Sequence, residues 1–155
     1  MNVAIVKYNA GNIGSVENAV RRLGIEPIVT DCPELICAAD RVIFPGQGEA
    51  KSTMAYLKAH GLDRVIVDLK QPVLGICIGM QLLCRHSEEY DTECLGVFDV
   101  DVKRFQPQVH EDKVPQMGWN TIEDTKTALF SGFEKIRFYF RLFLVDNRYI
   151  YRGGR

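Results

Sequence analysis

Hydrophobic residues recur along this chain in short β-branched runs separated by stretches with helical spacing. Val3-Ala4-Ile5-Val6-Lys7 reads as a strand buried on both faces. Residues 27–30, Arg41-Val42-Ile43-Phe44 and Pro72-Val73-Leu74-Gly75-Ile76 repeat that pattern. Between them the spacing predicts helices. One runs from Ser15, as N-cap, to about Leu23, with Gly24 just past its end. A second covers Pro33 to Ala38, and a third covers Glu49 to His60, with Met54, Leu57 and Lys58 on helical spacing and Gly61 closing it. A short helix follows near 62–69, and another opens directly after Cys77. Strands and helices alternating at this pace predict βαβ units, and so a mostly parallel sheet flanked by helices. The pattern then changes. Residues 97–105 alternate with period 2, as a half-exposed strand does, 106–116 read as loop, and Trp119–Ile122 and Lys135–Phe140 read as further strands. The expected fold class is α/β, one domain with a mixed sheet.

Composition narrows the functional classes. The 155 residues suit one domain. With 19 basic and 20 acidic side chains the net charge is −1, which lacks the basic excess that nucleic acid or an anionic membrane would call for. Apolar runs such as Val42-Ile43-Phe44 are too short to cross a bilayer. The N-terminus has no cationic flank and runs straight into a strand, so no signal peptide is expected and the compartment is cytoplasmic by default. Cys32, Cys37, Cys77, Cys84 and Cys94 form no C-x-x-C and have no histidine at ligand spacing. Neither a disulfide framework nor a metal or other cofactor is therefore expected, and most of these thiols should be small buried hydrophobes.

Cys77 differs from the others. Gly75-Ile76-Cys77-Ile78-Gly79 joins a buried strand directly to a helix, as a G-x-nucleophile-x-G elbow does. Such a turn projects the sulfur from the top of the sheet. The helix beginning at Ile78 aims its positive end at the thiol and favours the thiolate, and backbone N–H groups of the turn can hold an oxyanion. Alone, the segment also fits a core cysteine beside a glycine-rich strand end. Pro45-Gly46-Gln47-Gly48 follows the preceding strand, so in a parallel sheet it lies at the same edge. Its free N–H groups suit a developing negative charge, although a plain strand-to-helix turn gives the same sequence. It is no phosphate loop, because G-K-[ST] is missing and Lys51 replaces the third glycine of G-x-G-x-x-G. Gln81, four residues past Cys77, falls on the same side of the helix and faces either a substrate pocket or ordinary solvent. Met80, Leu82, Leu83 and Cys84 read as core.

Pro45-Gly46-x-Gly48 together with Gly75-Ile76-Cys77-Ile78-Gly79-Met80-Gln81-Leu82-Leu83 resembles the triad-type, class I glutamine amidotransferases. Tyr8-Asn9-Ala10-Gly11-Asn12-Ile13-Gly14-Ser15-Val16 looks like that family's first loop. Lys113-Val114-Pro115-Gln116-Met117-Gly118-Trp119-Asn120 looks like the K-x-P-x-x-G-W-N signature of one branch, the glutaminase subunits of imidazole glycerol phosphate synthase. The resemblance runs from residue 1 to about residue 140. It implies a class I glutamine amidotransferase-like, flavodoxin-like fold, glutamine hydrolysis through a γ-glutamyl thioester on Cys77, and delivery of ammonia to a cyclase subunit in a heterodimer. By the same resemblance Gly46, Gln47 and Gly48, with Ile78, line an oxyanion hole. Gln81 holds the glutamine, and Asn12 with Gly118, Trp119 and Asn120 lies toward the cyclase. For Trp119 a core anchor is the alternative. Lys7, Gln47 and Gln116 depart from common family residues, and none of them touches the thiol chemistry directly.

A cysteine nucleophile needs a base with an orienting acceptor. In the resembled family both come from a late His-x-Glu pair, after a strand that begins much like Phe138-Tyr139-Phe140. Here that strand continues Arg141-Leu142-Phe143-Leu144, and the only histidines are His60, His86 and His110. His60 ends a helix, His110 lies in a polar loop, and His86 falls nine residues past Cys77, roughly 13 Å along a helix rising 1.5 Å per residue. None is placed to act as the base. Residues 1–140 therefore read as a glutamine amidotransferase domain incomplete at its C-terminus, through truncation or a shift of frame, and 141–155 as an atypical tail. A docking-only partner of the cyclase, without catalysis, is the alternative function.

Overall fold

The computed structural model describes residues 1–9, 12–104 and 106 and the strands Gln116–Ile122 and Ile136–Leu142. Four parallel strands form the main sheet: β1 (Val3–Val6), β2 (Ile28–Thr30), β3 (Arg41–Phe44) and β4 (Val73–Gly75), in the order β2-β1-β3-β4. Ile5 pairs with both Val29 and Ile43, and Phe44 pairs with Gly75, so the C-terminal ends of β1, β3 and β4 come to one edge. Helices cover both faces. On one, α2 (Pro33–Ala38), α3 (Ala50–Ala59) and α4 (Leu62–Asp68) lay Ile36, Met54, Leu57, Leu62 and Ile66 against Ala4, Val6, Val42 and Phe44. On the other, α1 (Ile13–Arg22) packs Ile13, Val16 and Val20 against Val3, Ile5, Val29 and Ile43. Leu57 and Phe44 have no exposed surface, as a two-sided core requires. No described helix is long and apolar enough to cross a membrane.

Past β4 the chain forms α5 (Ile78–Leu82) and then β5 (His86–Ser87), β6 (Thr92–Glu93) and β7 (Asp101–Val102), a separate sheet in the order β6-β5-β7. β8 (Gln116–Ile122) and β9 (Ile136–Leu142) pair antiparallel, with Trp119 opposite Tyr139. Antiparallel pairing thus occurs in the smaller sheets and not in the four-stranded one.

Four expectations need correction. Most of the thiols are not buried: only Cys84 is, while Cys37 and Cys77 are exposed and Cys32 and Cys94 half-buried. α1 begins at Ile13 with Asn12 as N-cap, not at Ser15. Asn12 sits in the left-handed region at φ 70°, which asparagine tolerates, and its carbonyl already takes the Ser15 N–H at 3.1 Å. α5 has only five residues and does not carry His86. The chain returns over 92–98, offering the Leu82 carbonyl the N–H of Leu95 and the Cys84 carbonyl the N–H of Gly96. These replace the partners a longer helix would supply, and His86 pairs instead with Glu93. Among the described residues of 97–104 only Asp101–Val102 forms a strand, because Val97 and Phe98 turn onto the core and the Val100 N–H bonds the Phe98 carbonyl in a three-residue turn. Most of 106–116, and the tail beyond Leu142, lie outside the described residues.

Candidate active site

The β4–α5 junction is built from glycines where chain meets chain. Cys77 occupies the turn at φ 53° and ψ −119°, a left-handed conformation that side chains avoid, and its side chain is exposed. The turn is held by the Gly79 N–H on the Ile76 carbonyl at 3.0 Å and the Gln81 N–H on the Cys77 carbonyl at 3.1 Å. A Cβ on Gly75 would lie 2.7 Å from the Met80 Cα. One on Gly79 would press on the Phe44 carbonyl and lie 2.6 Å from that of Pro45. The elbow glycines are therefore there to let α5 close against the end of β3.

The Pro45–Gly48 loop leans on the elbow from the other side. A Cβ on Gly46 would meet the Ile76 carbonyl and come within 2.5 Å of the Ile78 nitrogen and 2.6 Å of the Gly79 nitrogen. The Ile76 N–H also bonds the Phe44 carbonyl at 3.0 Å. Gly46 and Ile78 are thus brought to the Cys77 turn. Gln47 and Gly48 follow on the exposed side of the loop, with Gly48 at φ 138°. Gln81 lies one turn into α5 and is buried rather than solvated.

Two side chains missed in the sequence grip this loop. At its start the buried Tyr8 donates its phenol O–H to the Pro45 carbonyl, with its ring edge-on to Phe44 at 5.4 Å. At its end the Glu89 carboxylate accepts the Ala50 N–H at 2.8 Å, beside Glu49, which caps α3 through the Ser52 N–H at 3.1 Å. Glu89 is itself placed by β5, its N–H bonding the hydroxyl of the fully buried Ser87. These contacts span 37 and 39 residues, so no local spacing announces them. Burial, and then the nearby negative charge of Cys77, hold the Tyr8 phenol far above the ordinary tyrosine range.

The other candidates stand apart. The Nδ1 of His60 meets the Tyr56 carbonyl at 2.8 Å and its ring stacks on Tyr56, while the Nε2 of His86 meets the Asp91 carboxylate at 2.8 Å. His110 lies outside the described residues. Asn12 is exposed at the start of α1, and Gly118, Trp119 and Asn120 lie on β8 opposite Phe140, Tyr139 and Phe138. A groove of about 530 Å³ between Arg85, His86, Glu93, Cys94, Gly96 and Asp101 contains no elbow residue, and its Arg85 is already paired with Asp99 and Asp101. Among the described residues no three His, Cys, Asp or Glu side chains are grouped to hold a metal ion.

An exposed cysteine on a strained strand-to-helix turn, with a glycine-rich loop laid against it, can form a thioester while backbone N–H groups face the acyl oxygen. The chain has well-matched relatives. Residues 5–142 match the family described as glutamine amidotransferase class-I. Imidazole glycerol phosphate synthase subunit HisH of Bacteroides thetaiotaomicron is 62% identical over 138 residues, covering 89% of this chain and 70% of its own length. The same-named subunit of Bacteroides fragilis is 59% identical over 150 residues, 97% of this chain and 75% of its own. That of Thiobacillus denitrificans is 42% identical over 152 residues, covering 90% and 67%. A crystal structure of a glutamine amidotransferase superposes with a TM-score of 0.72 over 94% of this chain and 74% of that one, at 20% identity, a likeness of fold.

Proposed function

The chain belongs to the class-I glutamine amidotransferases, and from that premise we propose that it is the glutaminase subunit of an imidazole glycerol phosphate synthase, releasing ammonia for a cyclase partner in histidine biosynthesis. The observation that carries the chemical part is Cys77 at φ 53° on the elbow, with Gly46 seated against the Ile78 and Gly79 amides. The Cys77 sulfur attacks the carboxamide carbon of glutamine, and the carbonyl π electrons move to oxygen. N–H groups from Gly46, Gln47, Gly48 and Ile78 take the resulting oxyanion. Collapse breaks the C–N bond, the thiol proton reaches the leaving nitrogen, and ammonia departs from a γ-glutamyl thioester that water cleaves to glutamate. Gln81, one turn along α5, is the residue assigned to hold the glutamine. Asn12, Gly118, Trp119 and Asn120 are assigned to the cyclase face of a heterodimer, and the setting is the cytoplasm, where the five free thiols stay reduced.

One observation favours a second reading. His60 and His86 are engaged away from Cys77, His60 with the Tyr56 carbonyl and His86 with the Asp91 carboxylate. A subunit that docks on the cyclase without hydrolysing glutamine fits that. Glutamate release from glutamine, measured with the cyclase present, separates the two. Under the first reading the chain turns over and Cys77→Ala abolishes it. A wild-type chain that binds the cyclase yet releases no glutamate leaves only the docking role.

A further inference from the structure

Nothing in the packing of the core asks for a phenol at position 8. Tyr8 is 4% exposed with its ring against Phe44, and phenylalanine would fill the same space without an oxygen to satisfy. The partner of that oxygen supplies the reason. Pro45 is fully buried, and its carbonyl, which accepts the Tyr8 O–H, shares a peptide plane with the Gly46 N–H. In a trans peptide the two point in opposite directions, so fixing one fixes the other. Gly46 and Gly48 flank Gln47, and glycine leaves such planes free to rotate unless something holds them. Here the Pro45–Gly46 plane is held by a side chain from the connection that follows β1. The same phenol lies within the field of Cys77 and keeps its proton through the ordinary tyrosine range, so it stays a donor while the thiolate forms.

We infer that Tyr8 is a positioning residue for the glutaminase step: its O–H pins the Pro45–Gly46 peptide so that the loop's amide donors keep one orientation over the Cys77 turn. This rests on the glutaminase reading above. No bond is made or broken at Tyr8, and its effect is on the acyl oxygen, not on the sulfur.

The test uses two alkylating agents on the full chain. The chloromethyl ketone analogue of glutamine binds as glutamine does and exchanges chloride for the Cys77 sulfur with help from donors to its ketone oxygen. Iodoacetamide alkylates the same sulfur without needing a formed oxyanion site. Tyr8→Phe should lower the maximal rate of chloroketone inactivation about tenfold, the worth of one buried hydrogen bond. Its half-saturating concentration and the iodoacetamide rate should stay within about twofold of wild type, since neither depends on the amide orientation. p-Aminophenylalanine at position 8, which restores an N–H donor, should recover most of the loss, and it also covers the case in which Tyr8→Phe does not fold. Equal slowing by both reagents, no slowing by either, or absence of rescue overturns the role of Tyr8 while leaving a saturable, glutamine-like label on wild-type Cys77. If wild type shows no saturable chloroketone labelling at all, the glutaminase reading fails and this role falls with it.

Discussion

Replacing Gly46 by alanine tests the loop-on-elbow contact with the least chemical change, one methyl group. That methyl would sit 2.5 Å from the Ile78 nitrogen and 2.6 Å from the Gly79 nitrogen, whereas ordinary contact begins at 3.4 Å. The obstructing atoms, the Ile76 carbonyl nearest of all, are all backbone, so no rotamer change relieves the clash and the loop itself must retreat by about 1 Å. A shift of that size takes an N–H···O bond of about 2.9 Å beyond hydrogen-bonding range. Loss of one oxyanion donor costs roughly 10²–10³ in kcat, and the forced repacking costs about 1–3 kcal/mol of stability. Glutamine turnover with the cyclase and urea unfolding would be measured in parallel. Gly14→Ala is the matched control. Nothing lies within 4 Å of a Cβ there, and it sits in the first turn of α1, so it should gain up to about 0.5–1 kcal/mol. If Gly46→Ala keeps kcat within threefold of wild type, the close approach is not what holds the site and the reasoning is wrong.

Three further outcomes follow from the same geometry. Cys77→Gly should unfold about 1 kcal/mol later than Cys77→Ala in chemical denaturation, because glycine accepts φ 53° without strain; equal midpoints would remove the strain argument. Glu89→Ala should cost about 1–2 kcal/mol by leaving the Ala50 N–H without its charged acceptor, and kcat should fall more than KM rises, because the loop loses its far anchor. For pH, burial and then the neighbouring Cys84 push the Cys94 thiol up from 9.0 to about 11. The unfolded chain ionises that thiol first, so this contribution is complete below pH 9 and is lost as pH rises toward 11; Cys94→Ala should flatten that limb of a stability-against-pH curve.

How much of this could be read from the sequence follows the range of the interactions. α2 is legible to the residue because Pro33 at its first position and the short apolar run are local signals, and β3 because Val42-Ile43-Phe44 is a β-branched and aromatic run. The elbow was legible for the same reason, since its glycines answer to neighbours only a few residues away or one strand over. In the sequence α5 reads as long because its apolar run continues through Leu83 and Cys84, while the return of 92–98 decides its end. Nothing in Ile78–Cys84 encodes that return. His86, placed by helical arithmetic, moved to a strand for the same reason.

The same division holds inside the site. The thiol and its elbow form a local motif, but the orientation of the Pro45–Gly48 loop is imposed from Tyr8 at one end and Glu89 at the other, each nearly forty residues away. Tyr8 lies two residues past the end of β1, and Glu89 two residues past β5 in the small sheet that follows α5. A loop held by two such remote anchors gains its rigidity only when the whole sheet is assembled, so reactivity toward an acyl carbon should appear with global folding and not with the elbow alone. Under partial denaturation, therefore, iodoacetamide labelling of Cys77 should persist after glutamine-like labelling has gone. The elbow supplies the sulfur, whereas only the assembled anchors supply the amide donors.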